Sequence, residues 1–419
     1  MTAPPQTPAA LLRLSARLQF DNGAGASGLS DVSGMSGAEW DCLLAMAAAH
    51  GMRPLLYRFL LRIALGAQAS LPADGFLSSD ATPLRELPAG KDVCAPRAIP
   101  DHVTSTLQEF TRQNLRKNLR MTGELILLLR TFAEGGVNVI PFKGPSLAAL
   151  AYGDLGLREF DDLDLLIART DFMKAQELLV ARGYQPEALL NARQAAAFAE
   201  ACNVMAFWHA EKEISVEIHW ELSPKYLPFS PDHERLRKRM VPSHPGGQAV
   251  MTLSPEDMLV YLCAHGAKHV WEKLIWIVDV AGLIHRHSNP DWDRVYELAV
   301  EQRCERVLFL GLRLARDVIG ASAPAEMERL IESDPESGRL AMKIIERPFN
   351  SRRNQSADSL FIFRLQRRWP DKMRSFARMA VTPSVADWIS FPGLRRFAWA
   401  YPLLRPLRLL SKLVRSRNQ

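Results

Sequence analysis

An α+β fold, with a small mixed β-sheet set among helices, is what this sequence predicts, and three observations carry that reading. Apolar residues recur at three- and four-residue spacing through most of the chain. Two stretches, VNVIPF…REFDDLDLLIA and NVMAFWHA…EISVEIHWEL, switch to alternation. Around the first of them the order is helix, strand, helix, strand, helix.

Taken in order, PAALLRLSARL and AEWDCLLAMAAAHGMRPLLYRFLLRIAL predict two or three short helices within residues 1–65. Residues 66–100 turn to Ala, Ser, Pro, Gly and Asp without period and predict a long loop. A single long helix is predicted from Asp101 to the glycine pair Gly135 and Gly136. VNVIPF then reads as a short strand, PSLAALAYG as a short helix opened by Pro145, and REFDDLDLLIA as a strand. The next helix, RTDFMKAQELLVARGY, has Thr170 as its predicted N-cap and Gly183 as its end. The two strands that follow, split by Glu211 and Lys212, predict a hairpin, although the turn lacks glycine. From Ser254 four bundle-length helical segments predict a helical domain. The expected division is 1–100, N-terminal helices and loop; 101–229, the sheet-bearing core; 230–335, the helical domain; and 336–419, a basic helical tail.

With 419 residues, 47% hydrophobic and 23% charged, the chain can bury a sizeable core, which excludes disordered and fibrous classes. Its five cysteines lie at least forty residues apart, so no close pair clamps zinc and a disulfide framework is not expected. The first twenty residues lack a basic cluster followed by an apolar core, and no stretch of eighteen uncharged apolar residues occurs. A cytoplasmic protein without a transmembrane segment is predicted. Residues 364–419 hold thirteen Lys/Arg against Asp371 and Asp387, a net of +11 that leaves −5 for the rest of a chain of net +6. The basicity is therefore local.

The chemistry is expected between Lys143 and Glu217. Strand alternation in FDDLDLLIA puts Asp162 and Asp164 on one face and Leu163 and Leu165 on the other, with the two aspartate Cα atoms about 7 Å apart. Like charges so placed ask for a cation, and hard oxygen ligands select Mg²⁺ or Mn²⁺. EISVEIHWEL sets Ser215, Glu217, His219 and Glu221 on one face, so Glu217 can supply a third carboxylate and His219 can orient it. In FKGPS, the first-turn amides, the Ser146 hydroxyl and the Lys143 ammonium can face a polyphosphate, and Arg158 offers a planar fork for phosphate oxygens.

These residues resemble a family. A glycine followed within two residues by serine at a strand-to-helix turn, a strand with Asp-x-Asp and a later strand with a third acid resemble the polymerase-β-type nucleotidyltransferase superfamily. More narrowly, KGPSLAALAYGDLGLREFDDLDLLIA, the helix ending in RGY, VEIHWEL and WIVDVAGLI resemble the bacterial uncharacterised nucleotidyltransferase family, over about residues 101–320. The resemblance implies that Asp162 and Asp164 hold Mg²⁺ on a nucleoside triphosphate, and that Glu217 binds the catalytic metal and helps activate an acceptor hydroxyl. It implies that Gly144 and Ser146 form the turn that holds the β- and γ-phosphates. Two features depart from the pattern: Pro145 follows the glycine, and fifteen residues separate Ser146 from Asp162. The implied reaction moves a nucleotidyl group, AMP being the expected one, to an unidentified acceptor hydroxyl or phosphate, with two ions about 3.5–4 Å apart clamping the in-line displacement. A non-catalytic nucleotide-binding or scaffold protein and an RNA-acting nucleotidyltransferase are the alternatives. Asp162→Asn and Asp164→Asn are each expected to remove activity while leaving folding nearly intact.

Simpler roles compete at several positions. Asp-x-Asp on an exposed strand is often a solvated face. Asp161 falls on the Leu163 face, where a cap or salt bridge suffices, and ranks at most as a neighbour of the site. His265 and His269 share a helix face at zinc-pair spacing, but no glutamate follows His265. A packed histidine pair is expected there, with nucleotide contact by His265 as the lesser reading. Asp279 in WIVDVAGL is expected as a buried polar contact that fixes the helical domain. The tail FPGLRRFAWAYPLLRPLRLLSKLVRSR interleaves arginine with aromatic and leucine residues. Docking on the body is the first expectation, peripheral contact with the inner membrane face the second and RNA contact the third.

Overall fold

The computed structural model describes residues 7–19, 32, 35–65, 99–227, 229–287, 290–347, 355–383 and 385–390. The predicted 66–100 loop, apart from its last two residues, and the tail beyond 390 lie outside the described residues. The first helices are α1 (Pro8–Arg17), α2 (Gly37–His50), α3 (Arg53–Leu65) and α4 (Asp101–Glu134). Ser36 and Glu39 close a capping box on α2, and α4 stops at Gly135, followed by Gly136 in the left-handed region.

Strand β1 (Val139–Pro141) leads into α5 (Gly144–Leu147), which continues as a π-turn over Ala148–Tyr152. Next come β2 (Asp162–Ile167), α6 (Phe172–Ala181), β3 (Gln185–Pro186), α7 (Ala192–Ala201), β4 (Val204–His209) and β5 (Ile214–His219). The N-cap of α6 is Asp171 rather than the expected Thr170, because a 3₁₀ turn over Arg169–Asp171 delays the helix. A short helix, α8 (His233–Lys238), and a two-stranded ribbon, β6 (Val241–Ser243) and β7 (Val250–Thr252), follow. The helical remainder is α9 (Pro255–Lys268), α10 (Leu274–Arg286), α11 (Trp292–Glu301), α12 (Glu305–Leu314), α13 (Ala325–Glu332), α14 (Pro335–Ile345), α15 (Gln355–Leu365), α16 (Trp369–Val381) and α17 (Val385–Ser390).

The main sheet has the order β1-β2-β5-β4-β3, with β2 and β5 parallel and the other pairs antiparallel, so it is mixed as expected. Alternation sorts its two faces. Leu163, Leu165, Ile167, Val216, Ile218, Met205 and Phe207 join residues of α4, α6 and α7 in one apolar core. The opposite positions of β2 and β5 carry Asp162, Asp164 and Leu166 beside Ser215, Glu217 and His219. On that side Ile140, Phe142 and Leu166 belong to a second core, shared with α1–α3 and α9–α14. One sheet face is thus dry, while the other meets the helical bundle around a polar centre. Among the described residues no helix is long and apolar enough to cross a membrane.

Candidate active site

The parallel register of β2 and β5 sets Asp164 opposite Glu217 and Asp162 opposite Ser215. Asp164 is buried at the centre. Its Oδ1 accepts from the Lys143 ammonium at 2.6 Å and lies 3.1 Å from His219 Nε2, which is also 3.1 Å from Glu217 Oε2. One ligand atom each from Asp164, Glu217 and His219 fall within 4.8 Å of one another. His219, expected as a neighbour of the ligands, therefore sits inside the tight trio, and Asp162 stands beside it on the same strand face.

The charges of this cluster act on one another. The Asp164 carboxylate, and then burial, push Asp162 up to about 7. Burial raises Asp164 itself, but the Lys143 ammonium and the His219 hydrogen bond outweigh it and hold the carboxyl well below the ordinary range. Burial disfavours the Lys143 charge, yet Asp164 and the surrounding acidic groups raise its pKa on balance. His219 is raised as well, because its hydrogen bonds to Asp164 and Glu217 overcome its desolvation. Lys143, with a smaller contribution from Arg158, thus fails to offset the carboxylates around Asp162, whose pKa registers the shortfall.

Burial makes one sequence expectation untenable. Asp164→Asn was expected to spare folding through relief of like-charge repulsion, but Asp164 is chiefly the partner of a Lys143 side chain that is only 12% exposed. Removing the carboxylate takes from that buried cation its nearest partner, leaving only the more distant charges of Asp162 and Glu217.

Three atoms test whether a cation and a phosphate fit here. Asp164 Oδ2, Ser146 Oγ and His219 Nδ1 are buried without a hydrogen-bond partner, each at a cost of about 1–3 kcal/mol if left so. A carboxylate oxygen at the trio suits a hard divalent cation, and a hydroxyl at a strand-to-helix turn suits a phosphate oxygen. Gly144 makes the turn possible: its φ is +53°, and a Cβ there would lie 3.1 Å from the Asp162 carbonyl oxygen. The donor set fits the expected groups.

The other expected residues are elsewhere. Arg158 does not present an open fork: its Nε and Nη2 donate to the two oxygens of Asp279 at 2.9 and 3.0 Å, and Tyr152 donates its hydroxyl to the same carboxylate at 2.7 Å. Asp279 is fully buried in α10. Asn114 and Asn118 of α4 donate to the Arg158 carbonyl, fixing the backbone four residues before Asp162. Asp161 is exposed and pairs with Lys117 at 2.6 Å.

Tyr261 of α9 was not foreseen. Its ring meets Phe142 edge-on at 5.1 Å, and Phe142 in turn meets His219 at 5.2 Å. The Tyr261 hydroxyl lies 3.5 Å from Nδ1 of His265, whose ring packs against His269 and Trp276. Burial, followed by Lys143 and His269, holds the His265 pKa well below its ordinary value. Nothing local distinguishes Tyr261, since every residue from Asp257 to Ala264 is buried; only the fold aims α9 at the acid cluster.

No curated protein and no solved structure matches the chain. A turn held by Gly144 with a buried serine hydroxyl, and paired acids on adjacent parallel strands, accord with a match of residues 36–320 to the family model described as Uncharacterised nucleotidyltransferase, and the chain belongs to that family.

Proposed function

We propose that the protein transfers an NMP group, AMP being the expected one, from a Mg²⁺- or Mn²⁺-bound nucleoside triphosphate to an acceptor hydroxyl or phosphate. The observation that carries this reading is the Asp164–Glu217 register pair, with Asp162 pushed up to about 7 beside it. Three carboxylates there outweigh the Lys143 ammonium, and membership of a nucleotidyltransferase family supports a nucleotide as what accompanies a further cation. Asp162, Asp164 and Glu217 would hold the cation, which when bound supplies positive charge against the triphosphate oxygens.

The chain's own groups do the rest. Ser146 and the Gly144 turn hold phosphate oxygens, and Lys143 balances charge at Asp164 until nucleotide arrives. His219 orients both carboxylates through Nε2, and Glu217, the more solvent-open of the pair, takes the acceptor hydroxyl's proton. Arg158 acts through position, tying the approach to β2 onto α10 by way of Asp279. Catalysis here is alignment and electrostatics.

One observation favours a non-catalytic nucleotide-binding alternative: Asp164 already has an internal cation in Lys143. Incubating the full chain with each α-labelled triphosphate, Mg²⁺ and a cell extract separates the two. Pyrophosphate release with a labelled acceptor supports transfer. Nucleotide binding without pyrophosphate under any condition supports the alternative.

A further inference from the structure

The helix α16 presents an apolar face to solvent. Trp369, Met373 and Phe376, spaced four and three residues apart, form one stripe and are 65%, 46% and 58% exposed, with Val381 at the helix end 46% exposed. A folded chain rarely leaves a tryptophan, a phenylalanine and a methionine side by side in water. The other side of the helix is anchored. Ser375 is buried and donates its hydroxyl to the Tyr226 carbonyl at 2.6 Å, Arg378 donates to the Lys225 carbonyl, and Asp371 receives Arg303 and Arg374. The apolar stripe is therefore held outward by the packing of the opposite side.

Charge says what the stripe fits. By helical spacing Arg368 and Lys372 flank the stripe, while Arg374 and Arg378 belong to the anchored side and Arg367 pairs with Glu305 at 3.3 Å. The chain then runs on into 391–419, whose composition is again arginine with aromatic and leucine residues. An apolar stripe rimmed by cations complements a bilayer surface that offers acyl chains below and anionic headgroups above. Arginine and lysine stems reach the headgroups while the rings enter the interface. A nucleic-acid duplex, its bases stacked on one another, would neutralise the cations but leave Trp369 and Phe376 in water.

We infer that the exposed face of α16, led by Trp369, Met373 and Phe376, is a docking surface for an anionic lipid bilayer. It is independent of the proposed transfer reaction, since none of these residues belongs to the acid cluster.

The test is flotation of the full chain with vesicles of phosphatidylcholine alone and with phosphatidylcholine containing 30% phosphatidylglycerol (about this fraction gives a strongly negative surface). Binding to the anionic vesicles, little binding to the neutral ones, and a loss of about tenfold or more for Trp369→Ser/Phe376→Ser are expected. Arg368→Glu/Lys372→Glu should weaken binding comparably, which keeps the proposal testable should the apolar variant misfold; circular dichroism reports the fold of both. Equal binding by wild type and both variants would assign lipid contact to other segments and overturn the inference. So would an absence of vesicle binding, preferential binding to polyuridylate over vesicles, or a dimer in sedimentation velocity that the Trp369→Ser/Phe376→Ser change abolishes.

Discussion

Arg158 and Asp279, 121 residues apart, form a two-pronged buried ion pair that ties the approach to the acid-bearing strand to the middle of α10. Both side chains are nearly inaccessible, so truncating one leaves the other charged in a dry site. Asp279→Ala is expected to cost about 3–5 kcal/mol in urea unfolding. Arg158→Met/Asp279→Leu should recover most of that loss, because no charge stays buried; a double variant as unstable as the single one contradicts the account.

The two aspartates of β2 should respond unequally to amidation. Asp162 is raised by its neighbour's charge, so Asp162→Asn removes repulsion and is expected to cost no more than about 0.5 kcal/mol. Asp164→Asn removes the charged partner of the buried Lys143 ammonium and is expected to cost about 3 kcal/mol. Both should lower nucleotidyl transfer at least about a hundredfold. Stability and pyrophosphate release measured on the same preparations separate the two roles, and equal loss of stability in both variants would count against the charge assignment.

What was legible follows from distance along the chain. The alternation of FDDLDLLIA and EISVEIHWEL was readable because each strand has one face in an apolar core and one that is polar. The long helix to Gly135 and α11 are readable from a repeated burial period, whereas α9, α10 and α12, buried along most of their length, are readable as apolar runs of helix length. The register that sets Asp164 beside Glu217 was not, since it depends on packing between strands about fifty residues apart. Locally Arg158 and Lys143 look like phosphate ligands, because nothing near them in sequence reveals Asp279 or the burial of Asp164. Strands β3, β6 and β7, two or three residues long, are too short to carry a period. Helix α7, absent from the sequence expectation, does carry a local signal, the Asn191–Gln194 capping box.

Gly144 should tolerate no side chain. Its positive φ costs an alanine about 1–2 kcal/mol, and the added Cβ would press on the Asp162 carbonyl at 3.1 Å. Gly144→Ala is therefore expected to lower stability by at least about 1 kcal/mol and, by displacing the start of β2, to weaken nucleotide binding. Gly37→Ala is the control, since nothing lies within 4 Å of a Cβ there. Calorimetric unfolding of the two variants checks the first effect and nucleotide titration the second; matching behaviour would rule out a special role for the turn.

His265 makes stability depend on pH in a direction fixed by its environment. Burial, together with Lys143 and His269, lowers its folded pKa well below the 6.5 of a free imidazole, so the folded protein holds it neutral where the unfolded chain takes up a proton. Its contribution is fully present above about pH 6.5 and is lost as the pH falls from there toward the folded value. The slope is at most about 1.4 kcal/mol per pH unit for one proton. His265→Gln removes that proton uptake, so the stability lost between pH 7.5 and pH 5 should be smaller in the variant than in the wild type. Urea unfolding at three pH values measures the difference, and parallel curves would show that His265 is not held neutral in the fold.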